Sequence, residues 1–227
     1  MSKHLQRDLE HLKKEVLSIA SLVEAALSKA ILALIDRRSE LAEEIIQADR
    51  LIDEKEVLVE EECLKILALH QPVAGDLRFI ISVLKVTNDL ERMGDLCVNI
   101  AERASYLSVH SPLDISLDFP SMTRGVQRMV RNSLDSLTTL DTKLARDVLA
   151  QDDEIDAANR EMFNALQELM HQDNQTIERA VHMLSASRHL ERIADLATNI
   201  VQDVVYMVDG ELIRHRHEEY FDSLTTK

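Results

Sequence analysis

Leu90-Glu91-Arg92-Met93-Gly94-Asp95-Leu96-Cys97-Val98-Asn99-Ile100 returns one hundred positions later as Leu190-Glu191-Arg192-Ile193-Ala194-Asp195-Leu196-Ala197-Thr198-Asn199-Ile200. Seven of the eleven residues are identical, and four of those seven are polar or charged. Duplication of an apolar face alone would preserve packing. Preservation of carboxylates at i and i+4, on one side of a helix, suggests that a site was copied with the helix.

The correspondence extends outward from these segments. A shift of 103 positions superimposes Leu41 on Leu144, Ala42 on Ala145, Ile45 on Val148, Asp49 on Asp152, Ile52 on Ile155 and Asp53 on Asp156. The chain of 227 residues is rich in Leu, Ala, Glu and Ile, with no Trp, 3% aromatics, four Gly and three Pro. That is the make-up of long packed helices rather than of a sheet.

Apolar residues at Leu5, Leu9, Leu12, Val16, Ile19, Val23, Ala26, Ala30 and Leu34 mark one face of a long first helix. Asp36-Arg37-Arg38-Ser39 interrupts it. A second helix is expected from about Glu40 to His70, with Leu41, Ile45, Ile52, Val59 and Ile66 on its seam. Gln71-Pro72 breaks the chain, Asp76 is placed to cap a third helix over about Leu77 to Leu107, and Ser108 to Pro120 reads as a linker. The fourth helix begins near Pro120 and carries Val126, Met129, Val130, Leu134 and Leu137. Asp141 caps a fifth helix running to about His171, and a sixth ends near Gly210. The fold class is therefore all-α: two tandem, pseudo-symmetric three-helix bundles of long antiparallel helices, over 1–108 and 119–210, with a tail over 211–227.

One stripe of the third helix reads Leu77, Ile81, Leu84, Asn88, Glu91, Asp95, Asn99, and the sixth gives Ile177, Val181, Leu184, Arg188, Glu191, Asp195, Asn199. Both are spaced to face the bundle and turn polar halfway along, where carboxylates are costly to desolvate unless something positive meets them. In an antiparallel hairpin, residues equally distant from the turn lie side by side. Asp49 pairs in this way with Asp95, and Asp53 with Glu91, about position 72; Asp152 pairs with Asp195, and Asp156 with Glu191, about the Asp173–Asn174 bond. Two quartets of hard oxygen donors are expected, each suited to magnesium, manganese, calcium or iron. The plainer reading stands beside this one: in a chain with 41 acidic residues, any single acidic pair is a solvated face or an ion pair with Arg92 or Arg192.

The formal charge of −15 would repel a phosphate backbone, and there is no basic stripe with interleaved aromatics, so nucleic-acid binding is not expected. Cys63 and Cys97 lack C-x-x-C spacing and read as small core residues in a reducing compartment. Continuous apolar runs such as Ile31 to Ile35 are too short to span a bilayer. The expected location is cytoplasmic, peripheral to a membrane through partners, with no direct insertion. Glu168-x-x-His171 has the spacing of a di-iron ligand pair but occurs once, and His215 and His217 read as a solvated tail.

Gln71-Pro72-x-Ala74-x-Asp76-Leu77-Arg78, Leu90-Glu91-Arg92-x-Gly94-Asp95, Asp152-Asp153-Glu154-Ile155-Asp156 and Leu190-Glu191-Arg192-Ile193-Ala194-Asp195-x-x-x-Asn199-Ile200 resemble the PhoU family of phosphate-signalling regulators, over about Leu5 to Gly210. The resemblance implies paired three-helix bundles, frequent homodimers and acid-x-x-x-Asp motifs that bind a divalent metal or a multinuclear cluster of iron, magnesium, manganese or zinc. By position, Asp49, Asp53, Glu91 and Asp95 would form one metal site and Asp152, Asp156, Glu191 and Asp195 the other. It implies a non-enzymatic adaptor, between a phosphate ABC transporter ATPase and a membrane sensor histidine kinase, that restrains phosphate uptake and the starvation response when phosphate is plentiful. Many members carry a His after the second-repeat Asp; here Leu196 follows Asp195, so no His ligand is assigned. The competing class is an enzyme, a carboxylate-bridged di-metal oxidase or ferroxidase in a helical bundle.

Overall fold

The computed structural model describes residues 3–115 and 117–213; His215, His217 and the rest of the expected tail lie outside the described residues. Three long helices, α1 (Lys3–Ile35), α2 (Leu41–His70) and α3 (Ala74–Ser108), form the first bundle. The second consists of α4 (Phe119–Thr139), α5 (Thr142–Leu149), α6 (Asp152–Gln172) and α7 (Ile177–Asp209), with a 3₁₀ turn over Asn174–Thr176 before α7. In the first unit α1, α2 and α3 all pack on one another; in the second, α4, α5 and α6 all pack on α7. The units meet chiefly along α3 and α7, with α1 and α4 adding a second contact.

The apolar seam of α2, recurring mostly every seventh residue, is sequestered, since Leu41, Ile45, Ile52, Val59 and Ile66 are all buried. So are the α4 residues from Val126 to Leu137 that define its apolar face. Cys63 and Cys97 are free and buried, and burial pushes the Cys63 thiol up to about 12, so both behave as small apolar core groups. By length and composition α1 is apolar enough to cross a membrane, which the short continuous runs did not lead us to expect; half of its most apolar window is buried inside the bundle, as befits a core helix.

Three local expectations are corrected. The fifth helix is not continuous: the chain tightens at Ala150–Gln151, where Ala150 N–H donates to Arg146 O and Gln151 N–H donates to Val148 O. This break gives Asp152, Asp153 and Glu154 a fresh helix N-terminus, whose exposed N–H groups and dipole favour negative charge. Asp76 is not the cap of α3; that position is Val73, without a side-chain cap bond, and Asp76 sits within the first turn. The polar stripes of α3 and α7 do not face the core. Leu77, Ile177 and Val181 are exposed, while α3 buries Ile80, Val83, Leu90, Met93 and Cys97. The stripe runs along the rim of the hairpin, where carboxylates keep part of their hydration.

Elsewhere local chemistry matches the sequence. Pro120 lies in the first turn of α4 behind the cap Asp118, and Gly210 closes α7 at φ 76°, a left-handed conformation that costs glycine little. The linker is held from both units: Arg37 donates to Leu107 O and His110 O, and Arg179 donates to Ser111 O at 3.0 Å. Asp141 accepts from Lys143 N–H at 2.9 Å and Leu144 N–H at 3.1 Å. Replacing Asp141 with Ala should cost about 1 kcal/mol of stability, read as a lower midpoint in urea unfolding with an unchanged slope.

Candidate metal centre

In α2, Asp49 and Asp53 stand one helical turn apart, as do Glu91 and Asp95 in α3, and the short connection at Gln71-Pro72-Val73 brings these turns alongside one another. The electrostatics place them within mutual reach. Burial, then the charges of Asp53 and Asp95, push the Asp49 carboxyl up to about 6. Burial again leads at Glu91, followed by Asp95, Glu56, Asp53 and Asp49, and raises it to about 7.

The second quartet has the same logic. Asp152 is pushed up to about 6 by burial and then by Asp195, Asp156, Asp153 and Glu191. Glu191 is raised by burial, Asp195 and Asp156; Asp195 is raised by burial and Asp156 and drawn partly back by Arg192. Asp156 also has a loose ion pair with Arg160 at 3.7 Å.

Two atoms bear on what the quartets can hold. Asp49 Oδ1 and Asp152 Oδ1, equivalent positions of the two repeats, are both buried without a hydrogen-bond partner. An orphaned buried carboxylate oxygen is expensive, and the cost recurs at the same place in both copies. Among the described residues no group of three or more His, Cys, Asp or Glu side chains is arranged to hold a metal ion; the carboxylates gather without converging on one point. Their half-exposed side chains have rotamer freedom to turn inward, and every donor is a hard oxygen. The chemistry therefore fits magnesium, manganese, calcium or iron rather than a thiolate zinc site.

Glu56 joins the first cluster and was not anticipated. It is hydrogen-bonded to Asn88, and its carboxyl is raised by burial and by Glu60, Asp53 and Asp95. The signal was available, because Glu56 and Asn88 are also equally distant from position 72. Its second-repeat equivalent is Asn159, which accepts from Ser187 Oγ, so the two clusters differ by a charge. Gly94 supplies another detail: a Cβ there would lie 2.7 Å from Asp49 Oδ1 and 3.1 Å from Ile52 Cδ1. The missing side chain lets α2 bring its aspartate against α3. The isolated Glu168-x-x-His171 pair forms no second site; Glu168 accepts from Gln172 at 2.9 Å, and His171 lies in the last turn of α6.

One acid of each quartet meets the other across a single cleft. Asp95 and Asp195 line one cleft of about 440 Å³ between α3 and α7, together with Arg92, Asn99, Arg192 and Asn199 over Leu96 and Leu196. These residues are related in pairs by the offset of one hundred positions.

Because Asp49, Glu91 and Asp152 titrate at about 6, 7 and 6 in the folded protein, above the usual carboxylate range of about 4, these three groups hold more protons in the folded state than in the unfolded chain between about pH 4 and about pH 7. Stability should fall as pH rises through that window and level off above it. Thermal unfolding of chelator-treated protein from pH 5 to 8 checks this, and Glu91→Gln should flatten part of the slope.

The PhoU domain model matches residues 16–104 and again 119–204. A PhoU homolog of the phosphate-specific transport system accessory protein from Aquifex aeolicus is 41% identical over 213 residues, covering 94% of this chain and 96% of that one. The Escherichia coli accessory protein PhoU is 31% identical over 99% of this chain and 95% of its own. The crystal structure of PhoU from Pseudomonas aeruginosa superimposes with a TM-score of 0.87 at 36% identity, covering 91% of this chain and 99% of that one. That of the phosphate transport regulatory protein PhoU from Streptococcus pneumoniae gives 0.80 at 29%, covering 92% and 98%. With both repeats matched and nearly the whole length aligned to such relatives, the chain belongs to the PhoU family.

Proposed function

We propose that this protein is a non-enzymatic regulator of phosphate uptake and of the response to phosphate starvation. It acts in the cytoplasm, peripheral to the membrane through its partners, as a homodimeric adaptor between the ATPase of a phosphate ABC transporter and a sensor histidine kinase. The relatives carry transport-accessory and regulatory names, and the observation that carries the reading to this chain is the repeated orphaned oxygen. Asp49 Oδ1 and Asp152 Oδ1 are buried without partners at equivalent places in both bundles, and a divalent cation is the partner that would satisfy both.

In the first site Asp49, Asp53, Glu91 and Asp95 would hold the metal, with Glu56 beside them; in the second, Asp152, Asp156, Glu191 and Asp195. A bound cation supplies positive charge that relieves repulsion among the carboxylates. The chain's own part is mechanical. Each quartet spans two helices of one hairpin, so its acids can link α2 to α3 and α6 to α7 only when their repulsion is offset. Holding those helices together fixes the shape of the face that carries the cleft, and that face is the surface offered to partners.

A ligand that binds only the native state at a hundred times its dissociation constant stabilises it by about 2.7 kcal/mol. Manganese or magnesium should therefore raise the melting temperature of chelator-treated protein by several degrees, with each of Glu91→Gln and Glu191→Gln removing part of the rise. In cells, deletion of the gene should switch on the starvation response at high phosphate. The Glu91→Gln, Glu191→Gln double variant should fail to restore repression or to co-purify the ATPase and kinase. Full repression by that variant would defeat the metal-dependent form of the proposal.

A further inference from the structure

We propose that the cleft at the crossing of α3 and α7 binds free inorganic phosphate. The proposal rests on reading this face as the regulatory one, and it uses a carboxylate oxygen of Asp95 and of Asp195 that a cation held by the quartets would leave free. The cleft, about 440 Å³, lies within the size range of small-ligand sites.

Its lining has an unusual balance. Arg92 and Arg192 are exposed at its edge; Arg192 acts electrostatically on Asp195 and Glu191, but neither guanidinium is held in a side-chain hydrogen bond among the described residues, in a chain of formal charge −15. Asn99 and Asn199 add carboxamide groups; Asn99 Nδ2 donates to Asp95 O at 2.9 Å and keeps a second N–H. Asp95 and Asp195 add carboxylates, and Leu96 and Leu196 line the cleft with apolar surface.

Few ligands need both halves of this set. A purely cationic ligand would meet two guanidinium groups, and an unprotonated anion would meet two carboxylates. A phosphate ion near neutral pH carries both anionic oxygens and at least one P–OH group. The anionic oxygens suit planar guanidinium forks and amide N–H donors. The P–OH donates to a carboxylate oxygen, a bond that fully deprotonated sulfate cannot make. A tetrahedral oxyanion also has twofold symmetry, so one ion can present equivalent edges to the two repeats. The cleft lining contains no aromatic ring on which a nucleotide base would stack.

Isothermal titration of the full-length protein, in chelator and again in magnesium, tests the assignment with phosphate, sulfate and glycerol phosphate as separate ligands. One phosphate per chain is expected, bound at least tenfold more tightly than sulfate and more tightly than the ester. Arg92→Gln and Arg192→Gln should each weaken it about tenfold, and the double variant about a hundredfold. Both arginines are exposed, so folding should survive, and the magnesium-induced thermal shift of the double variant should persist. No phosphate binding in either buffer, equal affinity for sulfate, preference for the ester, or indifference to the arginine substitutions would each overturn the proposal. Loss of the magnesium shift in the parent protein, with phosphate binding intact, would instead count against the metal sites alone.

Discussion

Repulsion among half-buried carboxylates is the constraint around which both hairpins are built. Like charges at the boundary between core and water are tolerable only where some hydration remains or where something positive intervenes. This is why the acidic stripe of α3 runs along the rim, one step round the helix from Leu90, Met93 and Cys97, which are wholly buried. It is also why the close approach at Gly94, with Asp49 Oδ1 only 2.7 Å from where a methyl would sit, has functional weight.

Packing elsewhere supplies the force that holds this arrangement. The α3–α7 seam joins the two bundles, and it is reinforced away from the cleft at both ends. On one side Lys85 reaches the buried Asp203 at 3.4 Å and lies over the Tyr206 ring. On the other, Tyr106 stacks on His182 with ring centroids 3.6 Å apart, and its hydroxyl donates to Glu178. The cleft between these contacts is therefore flanked by rigid elements, which suits a surface whose shape has to be fixed before anything docks on it.

Most of the fold was legible in the sequence because helical hairpins obey a simple register. Buried positions at Leu12, Ile45, Ile52 and Val126 follow directly from periodicity, and equal distance from position 72 puts Asp49 and Asp53 on turns of α2 that face the turns of Glu91 and Asp95 in α3. What escaped was set by local competition that periodicity does not encode. The break at Ala150–Gln151 has no proline or glycine to announce it; three successive acids at 152–154 favour a new helix start there. Asp76 was read as a cap because its side chain suits one, yet the chain leaves Pro72 extended at Val73 and enters α3 before Asp76. The cleft was not legible, since it depends on how α3 crosses α7, and two helices from different hairpins share no turn from which to count.

The duplicated halves are symmetric enough to share a cleft but are not identical around their acidic clusters. Glu56 adds a carboxylate to the first cluster where the second has Asn159. Ala194 carries the methyl that Gly94 lacks, and Asp152 opens a helix whereas Asp49 lies inside one. A helix N-terminus offsets negative charge on its own, so Asp152 has partial help from the backbone that Asp49, inside α2, lacks. If the quartets hold cations as proposed, the two hairpins should not respond equally when the cation is removed. Because Asp95 of that hairpin and Asp195 of its counterpart line the same cleft, a change confined to α2 and α3 alters one wall of a surface whose other wall stays in place.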